Sequence, residues 1–337
     1  MNKFIKFLIL FLTLIIIMPP FLSYIILNYT DLNKRNLFKQ KIIQASRVPY
    51  TNTRNVWQSN CTKYDEILLY FPKNGECEFN NLEYKTKINF NNGLRADNLD
   101  YNQNKPNILV LGDSVAMGWG VNDNETFSYI LEDQISINVD NYAVSSYGTV
   151  RELQLLKRIS KKYDLIILQY NINDYHENVS FYYNEIEYPR PKEIFNSLYA
   201  EPKSVLSLKV NYLLKLYNYF YIQPIKRRIF KKKNNDKSKK INYEDVMDNL
   251  FKSFILNTDI KSNIIIMPMS AHGKGISNSL DVYFKNMKKH KNFYYLDIDF
   301  DKNKHFFKLD DHPNDKGHKI TAEKLIEFIA RNKLLIF

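Results

Sequence analysis

Hydrophobic residues are most continuous at the N-terminus, where the stretch from Phe7 to Leu27 is interrupted only by a threonine, a serine and two prolines. Its length matches the roughly 20 residues that a helix needs to cross a bilayer. A signal peptide would have a shorter apolar region and a small-residue cleavage site, and a buried core helix would show a polar face. We therefore predict an uncleaved membrane anchor over residues 1–28.

The next region, residues 29–105, consists of short polar and aromatic stretches without a long helical period. Tyr84–Phe90 alternates between polar and apolar residues, which is typical of a strand. We interpret the region as an N-terminal extension with short strands.

From Asn107 onward, apolar runs typical of buried strands alternate with helical periods. Strands are predicted at Ile108–Leu111, before Asn141, and at Leu165–Leu168, Ile264–Met267 and Phe293–Leu296. Helices are predicted at about Glu125–Ile135, Arg151–Ser160 and Asp315–Arg331. The alternation indicates an α/β domain over residues 106–337, with a parallel sheet covered on both sides. Ligands of such sheets bind outside the carboxyl ends of the strands.

An insertion at about residues 176–260 interrupts this alternation. Its apolar residues recur at helical spacing between Val205 and Phe220, and nine Lys or Arg residues with one acid follow between Lys226 and Lys240. A helix packed on the core and followed by a solvated loop is the simpler interpretation. The alternative is a lid, or a surface that rests on anionic lipid beside the anchor.

The net charge of +12 does not indicate a nucleic-acid partner. The basic run alone contributes +8 (nine basic residues minus one acidic residue), which leaves +4 for the rest of the chain. A nucleic-acid-binding protein would usually spread its basic residues along a folded face and interleave them with aromatic residues. We therefore expect a membrane partner and no nucleic acid.

The two cysteines, Cys61 and Cys77, do not make a tetrahedral zinc site by themselves, and no paired Cys or His spacing lies near them. They are either free thiols or a disulfide, and a disulfide requires an oxidising compartment. Nothing in the sequence indicates a metal or an organic cofactor.

Basic residues flank the predicted anchor on both sides: Lys3 and Lys6 precede it, and four more follow between Lys34 and Lys41. Counted simply, these charges would keep the body of the protein in the cytoplasm. Long domains can be translocated despite such charges, so the flanks leave the orientation open.

A candidate nucleophile follows the first strand of the α/β domain, in Gly112-Asp113-Ser114. A strand that ends in a glycine-containing turn exposes the next side chain at the carboxyl edge of the sheet. A serine there is a nucleophile if a base removes its proton. The three residues alone are a weak motif, and the chain has no Gly-x-Ser-x-Gly elbow of the α/β-hydrolase type.

Three further groups of polar residues follow predicted strands and should gather at the same edge of the sheet. They are Asn141 to Gly148 (sequence NYAVSSYG), Asn173-Asp174, and Asp310 to Asn314 (sequence DDHPN). Taken singly, they are compatible with loop caps, a helix cap and a surface histidine. Their joint appearance in this order indicates a catalytic site.

In these four blocks, over roughly residues 105–332, the chain resembles the SGNH (GDSL-type) hydrolase superfamily. The first block, GDSVAMGWGV, is similar to that of membrane-anchored bacterial members. The resemblance implies a three-layer α/β/α fold of flavodoxin-like type with a parallel five-stranded sheet. It also implies a single-pass protein of the cytoplasmic membrane whose catalytic domain lies on the periplasmic or extracellular side.

The resemblance implies an oxyanion hole made of three residues. Ser114 would be the nucleophile and would also donate its backbone N–H to the oxyanion. Ser146 stands where the family has a glycine, so the backbone N–H survives but a side chain crowds the place. Asn173 would donate its side-chain amide, and the glycine that usually precedes this asparagine is Ile172 here.

The resemblance also implies that His312 is the general base for Ser114. The family commonly places its aspartate three residues before this histidine, where this chain has Leu309. Asp310, two residues before, would take the orienting role, because adjacent side chains in an extended turn point apart and this disfavours Asp311. A Ser–His dyad supported by a backbone carbonyl is the alternative.

These residues lead to the hypothesis of a serine esterase or deacylase. It would remove an acyl group, in the first place acetyl, from a cell-envelope glycan or lipid through an acyl-enzyme. An O-acyltransferase that passes the acyl group to a glycan would use the same residues. A catalytically silent glycan-binding protein, suggested by the departures at Ser146 and Leu309, is a hypothesis of a different class.

Overall fold

A computed structural model describes the protein over residues 2–31, 37–51, 61–95, 101–198, 203–229, 242–256, 261–269, 283–286 and 292–335. Its strands are β1 (Thr62–Asp65), β2 (Leu69–Pro72), β3 (Gly75–Asn80), β4 (Lys85–Asn91), β5 (Leu94–Arg95), β6 (Asn107–Leu111), β7 (Asn138–Asn141), β8 (Leu165–Tyr170), β9 (Asn263–Pro268) and β10 (Phe293–Tyr295). Its helices are α1 (Lys3–Tyr29), α2 (Leu37–Thr51), α3 (Ser114–Met117), α4 (Phe127–Gln134), α5 (Thr149–Arg158), α6 (Tyr175–Tyr182), α7 (Lys192–Ser197), α8 (Val205–Tyr217), α9 (Gln223–Ile229), α10 (Tyr243–Phe251), α11 (Lys302–His305) and α12 (Asp315–Asn332).

The main sheet of the described chain has the strand order β10-β9-β8-β6-β7-β5-β4-β3. The five strands from β10 to β7 are parallel, which confirms the predicted five-stranded parallel sheet. Nearly every residue of β6 and β8 is buried, as their apolar sequences require when helices cover both faces. Because β7 and β8 lie on opposite sides of β6, the order is flavodoxin-like, and ligands are expected between β6 and β8.

The N-terminal extension continues the same sheet with three antiparallel strands. β5 pairs with β7 through Arg95 and Asn141, and β4 and β3 follow in antiparallel register. β1 and β2 form a separate hairpin, and a disulfide joins Cys61 to Cys77. The sequence predicted short strands here and left the disulfide open, but it did not indicate that they join the sheet. The division into domains at residues 28 and 105 stays a prediction.

Helices cover both faces of the parallel strands. α4 packs on α12, while α5 packs on α6 and α6 on α10. The connection through α4 runs from β6 to β7, and the connection through α5 runs back across β6 to β8. Since such crossovers are right-handed, these two helices lie on opposite faces of the sheet. The fold is therefore the predicted three-layer α/β/α arrangement.

The helix α1 is long and apolar enough, by length and composition, to cross a membrane. It has 27 residues, and its most apolar window has a mean hydropathy of 2.4 with 6% of the window buried. Helix α8 packs on α1 and α2 and buries Leu208 and Leu216. The sequence predicts that this helix packs on the domain core, whereas in the structure it packs on α1 and α2. Of the basic run, Lys226 to Ile229 belongs to α9, and residues 230–240 lie outside the described residues.

Candidate active site

Ser114 lies in a tight turn between β6 and the short helix α3. Asp113 caps this helix, because its Oδ1 accepts the backbone N–H of Val115 at 2.8 Å. The amide oxygen of Gln169, from the end of β8, accepts the N–H of Asp113 at 3.1 Å. A Cβ at Gly112 would lie 2.6 Å from that oxygen and 2.7 Å from the Cβ of Ala116, so the packing favours glycine before the cap. The turn therefore fixes the Ser114 backbone at the carboxyl end of the sheet, between β6 and β8.

His312 connects Ser114 to Asp310. The hydroxyl oxygen of Ser114 lies 2.7 Å from Nε2 of His312, and Nδ1 of the same ring is hydrogen-bonded to Oδ1 of Asp310. Asp310 is fully buried, whereas Ser114 and His312 keep 7% and 8% of their surface exposed. A nucleophile, a base and an orienting carboxylate within hydrogen-bond reach of one another form the arrangement of a serine-hydrolase triad.

The structure distinguishes the two adjacent aspartates. Oδ1 of Asp311 accepts a hydrogen bond at 2.7 Å from Arg47 of α2. Leu309, at the position where the family has its aspartate, presents its backbone N–H to Glu83. The carboxylate that faces His312 is thus that of Asp310.

Ser146 has a backbone φ of 64°, in the left-handed region where glycine is favoured. This explains why a glycine suits the position. The Ser146 side chain is exposed and lines the cavity described below, so its crowding of the oxyanion position stays a prediction. Its carbonyl accepts a hydrogen bond from Arg151, and the carbonyl of Ser145 accepts one from the Tyr70 hydroxyl at 2.6 Å, which together hold the loop.

Asn173 lies in a 3₁₀ turn after β8. It approaches the Ser114 turn, which follows the neighbouring strand β6. Its Nδ2 donates to Oδ2 of Asp113 at 3.1 Å, and Asn171 donates to the same oxygen at 2.9 Å. An amide nitrogen carries two N–H groups, so Asn173 has a second donor for a substrate oxygen. The structure thereby brings all five predicted site residues into one region.

Several supporting residues were not predicted. Gln169 is a polar residue inside the buried apolar run of β8, and that break in the pattern was an available signal. Asn81, Glu83 and Tyr84 contact the Asp310 loop from the β3–β4 turn. No sequence pattern marks them, because they precede the loop by more than 220 positions.

Buried ionisable groups surround the turn. Burial raises the pKa of Glu152 and of Asp174, and the neighbouring carboxylate of Asp113 raises both further. Burial lowers the pKa of His318 to about 3, and its Nδ1 accepts the N–H of Phe127 at 3.2 Å. His318 is therefore a neutral structural histidine.

Among the described residues, no group of three or more His, Cys, Asp or Glu side chains is arranged to hold a metal ion.

A cavity of about 580 Å³ opens beside Ser146 and Asn173. Its lining is mixed and includes the apolar residues Ile186, Pro191 and Ile194. The other polar residues that line it include His176, Glu177, Glu185, Glu187 and Arg190.

No protein-family model matches the chain, and no curated protein sequence matches it. Several solved structures are similar. A protein of the G-D-S-L lipolytic family from Desulfitobacterium hafniense is 15% identical, with 66% of this chain and 99% of that chain covered and a TM-score of 0.36. The salicylyl-acyltransferase SsfX3 from a tetracycline biosynthetic pathway is 14% identical, with 70% and 58% covered and a TM-score of 0.37. A family 2 carbohydrate esterase from Corynascus thermopiles, solved with its carbohydrate-binding domain, is 13% identical, with 69% and 68% covered and a TM-score of 0.38. At these values the likeness is distant, so the function is inferred from the residues of this chain.

Proposed function

We propose that this chain, which resembles the SGNH hydrolases in its four sequence blocks, is a serine-nucleophile enzyme that cleaves or transfers an acyl ester. The observation that carries the proposal is the hydrogen-bonded series Ser114–His312–Asp310, with 2.7 Å between the serine hydroxyl and the imidazole. A protein that only binds glycan does not require these three side chains to be buried and hydrogen-bonded to one another. The arrangement therefore favours an enzyme over a silent glycan-binding protein.

The proposed reaction has two steps through an acyl-enzyme. Ser114 Oγ attacks the ester carbonyl carbon while His312 Nε2 takes the hydroxyl proton, and Asp310 stabilises the imidazolium that forms. The N–H groups of Ser114 and Ser146 and the amide of Asn173 donate to the developing oxyanion. The intermediate collapses, and His312 returns the proton to the leaving alkoxide.

Deacylation separates the two candidate activities. In a hydrolase, water attacks the acyl-enzyme with His312 as base and releases the free acid. In an O-acyltransferase, a sugar hydroxyl attacks in the same way and carries the acyl group away. The mixed polar cavity beside Ser146 and Asn173 supports a hydroxyl-rich partner, with Glu185 and Glu187 as acceptors for sugar hydroxyls. We therefore propose an acetyl or other short acyl ester of a cell-envelope glycan as the substrate.

We also propose a membrane location, which the N-terminal helices support. α1 would be the single-pass anchor, and the Cys61–Cys77 disulfide supports a catalytic domain in the oxidising periplasmic or extracellular space. The Tyr212 hydroxyl on α8 lies 2.9 Å from the Ser23 hydroxyl on α1, so α8 lies directly against the proposed anchor. Exposed apolar residues of α8, of α9 and of the π-helical segment Asn218–Ile222 between them are Val205, Leu206, Val210, Leu213, Leu214, Ile222, Ile225 and Ile229.

We propose that this face of α8 and α9 rests on anionic lipid, with Lys226 and its basic neighbours at the headgroups. A polarity-sensitive fluorophore on Leu214→Cys in bilayer discs should shift its emission to the blue, and more so when anionic lipid is added. The same fluorophore at Lys63→Cys, on the β1–β2 hairpin, is the control. Equal emission from the two positions would contradict lipid contact.

Fluorophosphonate labelling tests the enzyme proposal. The purified full-length protein in detergent should label, and Ser114→Ala should not. Turnover of an acetyl ester should fall about 10⁶-fold in this variant, as for loss of a catalytic serine elsewhere. Acetate release against transfer to an acceptor glycan then decides between hydrolase and transferase, and labelling of intact and opened cells reports the side of the membrane. A folded wild-type protein that labels no faster than Ser114→Ala would refute the proposal.

A further inference from the structure

The carboxylate that orients the histidine is held on both of its oxygens. Oδ1 of Asp310 faces His312, and Oδ2 accepts hydrogen bonds from the Tyr84 hydroxyl at 2.9 Å and from Asn81 Nδ2 at 3.3 Å. Both donors belong to the turn between β3 and β4, in the N-terminal extension. Since Asp310 is fully buried, these donors take the place of water and fix which oxygen faces the imidazole.

The same turn also holds the backbone of the loop that precedes His312. The carboxylate of Glu83 accepts three successive backbone N–H groups, from Lys308 at 2.8 Å, Leu309 at 2.9 Å and Asp310 at 2.7 Å. Hydrogen bonds to an ionised acceptor are the stronger kind. Asn81 in turn accepts the N–H of Glu83 at 2.8 Å, so the turn is itself ordered before it meets the loop.

Further residues before position 105 contact the loop on its flanks. The Tyr84 ring packs on Phe307 with 4.9 Å between ring centroids, and Arg47 pairs with Asp311 at 2.7 Å. Between β10 and α12 the chain has only the short helix α11 and one isolated bridge. A long connection with so little regular structure needs outside contacts to stay in one conformation.

We propose that the turn Asn81–Tyr84 is a positioning element of the active site, which sets the orientation of the Asp310 carboxylate and thereby of the His312 ring. The inference rests on the proposed catalytic role of His312. It makes the N-terminal extension part of the active site, although the extension supplies no reacting atom.

Two substitutions test the proposal in the full-length protein. Tyr84→Phe removes one hydroxyl and keeps the ring on Phe307, while Glu83→Gln replaces one acceptor oxygen by an NH₂ group that faces backbone donors. We expect each to lower kcat for an acetyl ester by roughly ten- to a hundredfold with KM unchanged. We expect this split because neither side chain is among the residues that line the cavity beside Ser146 and Asn173. The fluorophosphonate labelling rate should fall in parallel.

Matched controls exist for both variants. Tyr163→Phe removes a tyrosine–aspartate hydrogen bond of the same kind, because the Tyr163 hydroxyl donates to Asp140 at 2.7 Å. Tyr163 lies just before the N-terminal end of β8. Glu76→Gln changes a carboxylate of the same hairpin that pairs with Lys87 on the surface. Both controls should keep the wild-type kcat.

The outcomes separate the two proposals. If the wild type fails to label at Ser114, the proposed function is wrong. If the wild type labels and Tyr84→Phe reacts as fast as Tyr163→Phe, the positioning role is refuted. A fall in kcat that only follows the loss of folded protein, measured by circular dichroism, would refute it as well. Should Glu83→Gln fail to fold, Tyr84→Phe decides alone.

Discussion

The parallel half of the sheet and the N-terminal extension contribute to the site in different ways. In the proposed mechanism, the parallel half supplies the reacting and stabilising groups, with Ser114 after β6 and Asn173 after β8. The extension supplies contacts that hold loops. One is the turn Asn81–Tyr84. Another is Arg95 of β5, which is buried and donates to the backbone carbonyls of Met117, Gly118 and Val121, after Ser114. Chemistry and alignment therefore come from different parts of the sequence, and they can be tested separately.

Among the substitutions that test this division, the largest effect should come from Asp310, the residue in which the two regions meet. Asp310→Asn should lower kcat by about 10⁴-fold, because an amide there favours the wrong tautomer of His312. Asp311→Asn should leave kcat close to that of the wild type, since Asp311 faces Arg47. Steady-state kinetics with an acetyl ester measures both. Equally small effects would instead support a Ser–His dyad.

A change confined to the parallel half should be smaller. Asn173→Ala should lower kcat by about 10²–10³-fold, the usual cost of one oxyanion donor. Asn171→Ala is the control, because it removes the other amide bound to Asp113 without removing the proposed donor. If the two variants lose the same activity, the role of Asn173 is to hold Asp113 and not to bind the oxyanion.

A change confined to the extension should act first on stability. Arg95→Met leaves three carbonyls and the Asp123 carboxylate without their guanidinium partner, and should lower the free energy of unfolding by about 3 kcal/mol. Lys87→Met breaks the exposed pair with Glu76 and should cost below about 1 kcal/mol. Urea titration of both variants gives the comparison. Equal urea midpoints for the two variants would show that the hydrogen bonds of Arg95 to the loop after Ser114 contribute little to stability.

The smallest effect should be a pH dependence in the parallel half. His318 binds no proton in the folded state until the pH approaches its pKa of about 3, whereas the unfolded chain protonates it near 6.5. Its contribution is therefore complete above pH 6.5 and is lost as the pH falls below that value. Wild type should lose about 2 kcal/mol more than His318→Asn between pH 7 and pH 5. Parallel losses in the two proteins would contradict the burial argument.

The parallel half was predictable from the sequence because its signals are local. Buried strands such as Leu165–Leu168 are apolar runs, and residues directly after them must gather at one edge of the sheet. The role of the extension was not predictable. β5 has two residues and joins β7 through one residue pair, and Glu83 meets its partners across more than 220 positions. Helix α8 was predicted as a helix from its apolar periodicity. That periodicity does not indicate which element the helix packs on, so its contact with α1 was not predictable.

Because β5 lies along β7, the chain cannot be shortened at residue 105 without harm. In a fragment that begins at residue 106, β7 would become an edge strand with unpaired backbone donors and acceptors. Such an edge can pair with other copies of the fragment and cause precipitation. It would also lose the tyrosine hydroxyl that Asp310 needs. A shortened fragment for crystallisation or screening should instead remove α1 alone and begin before α2.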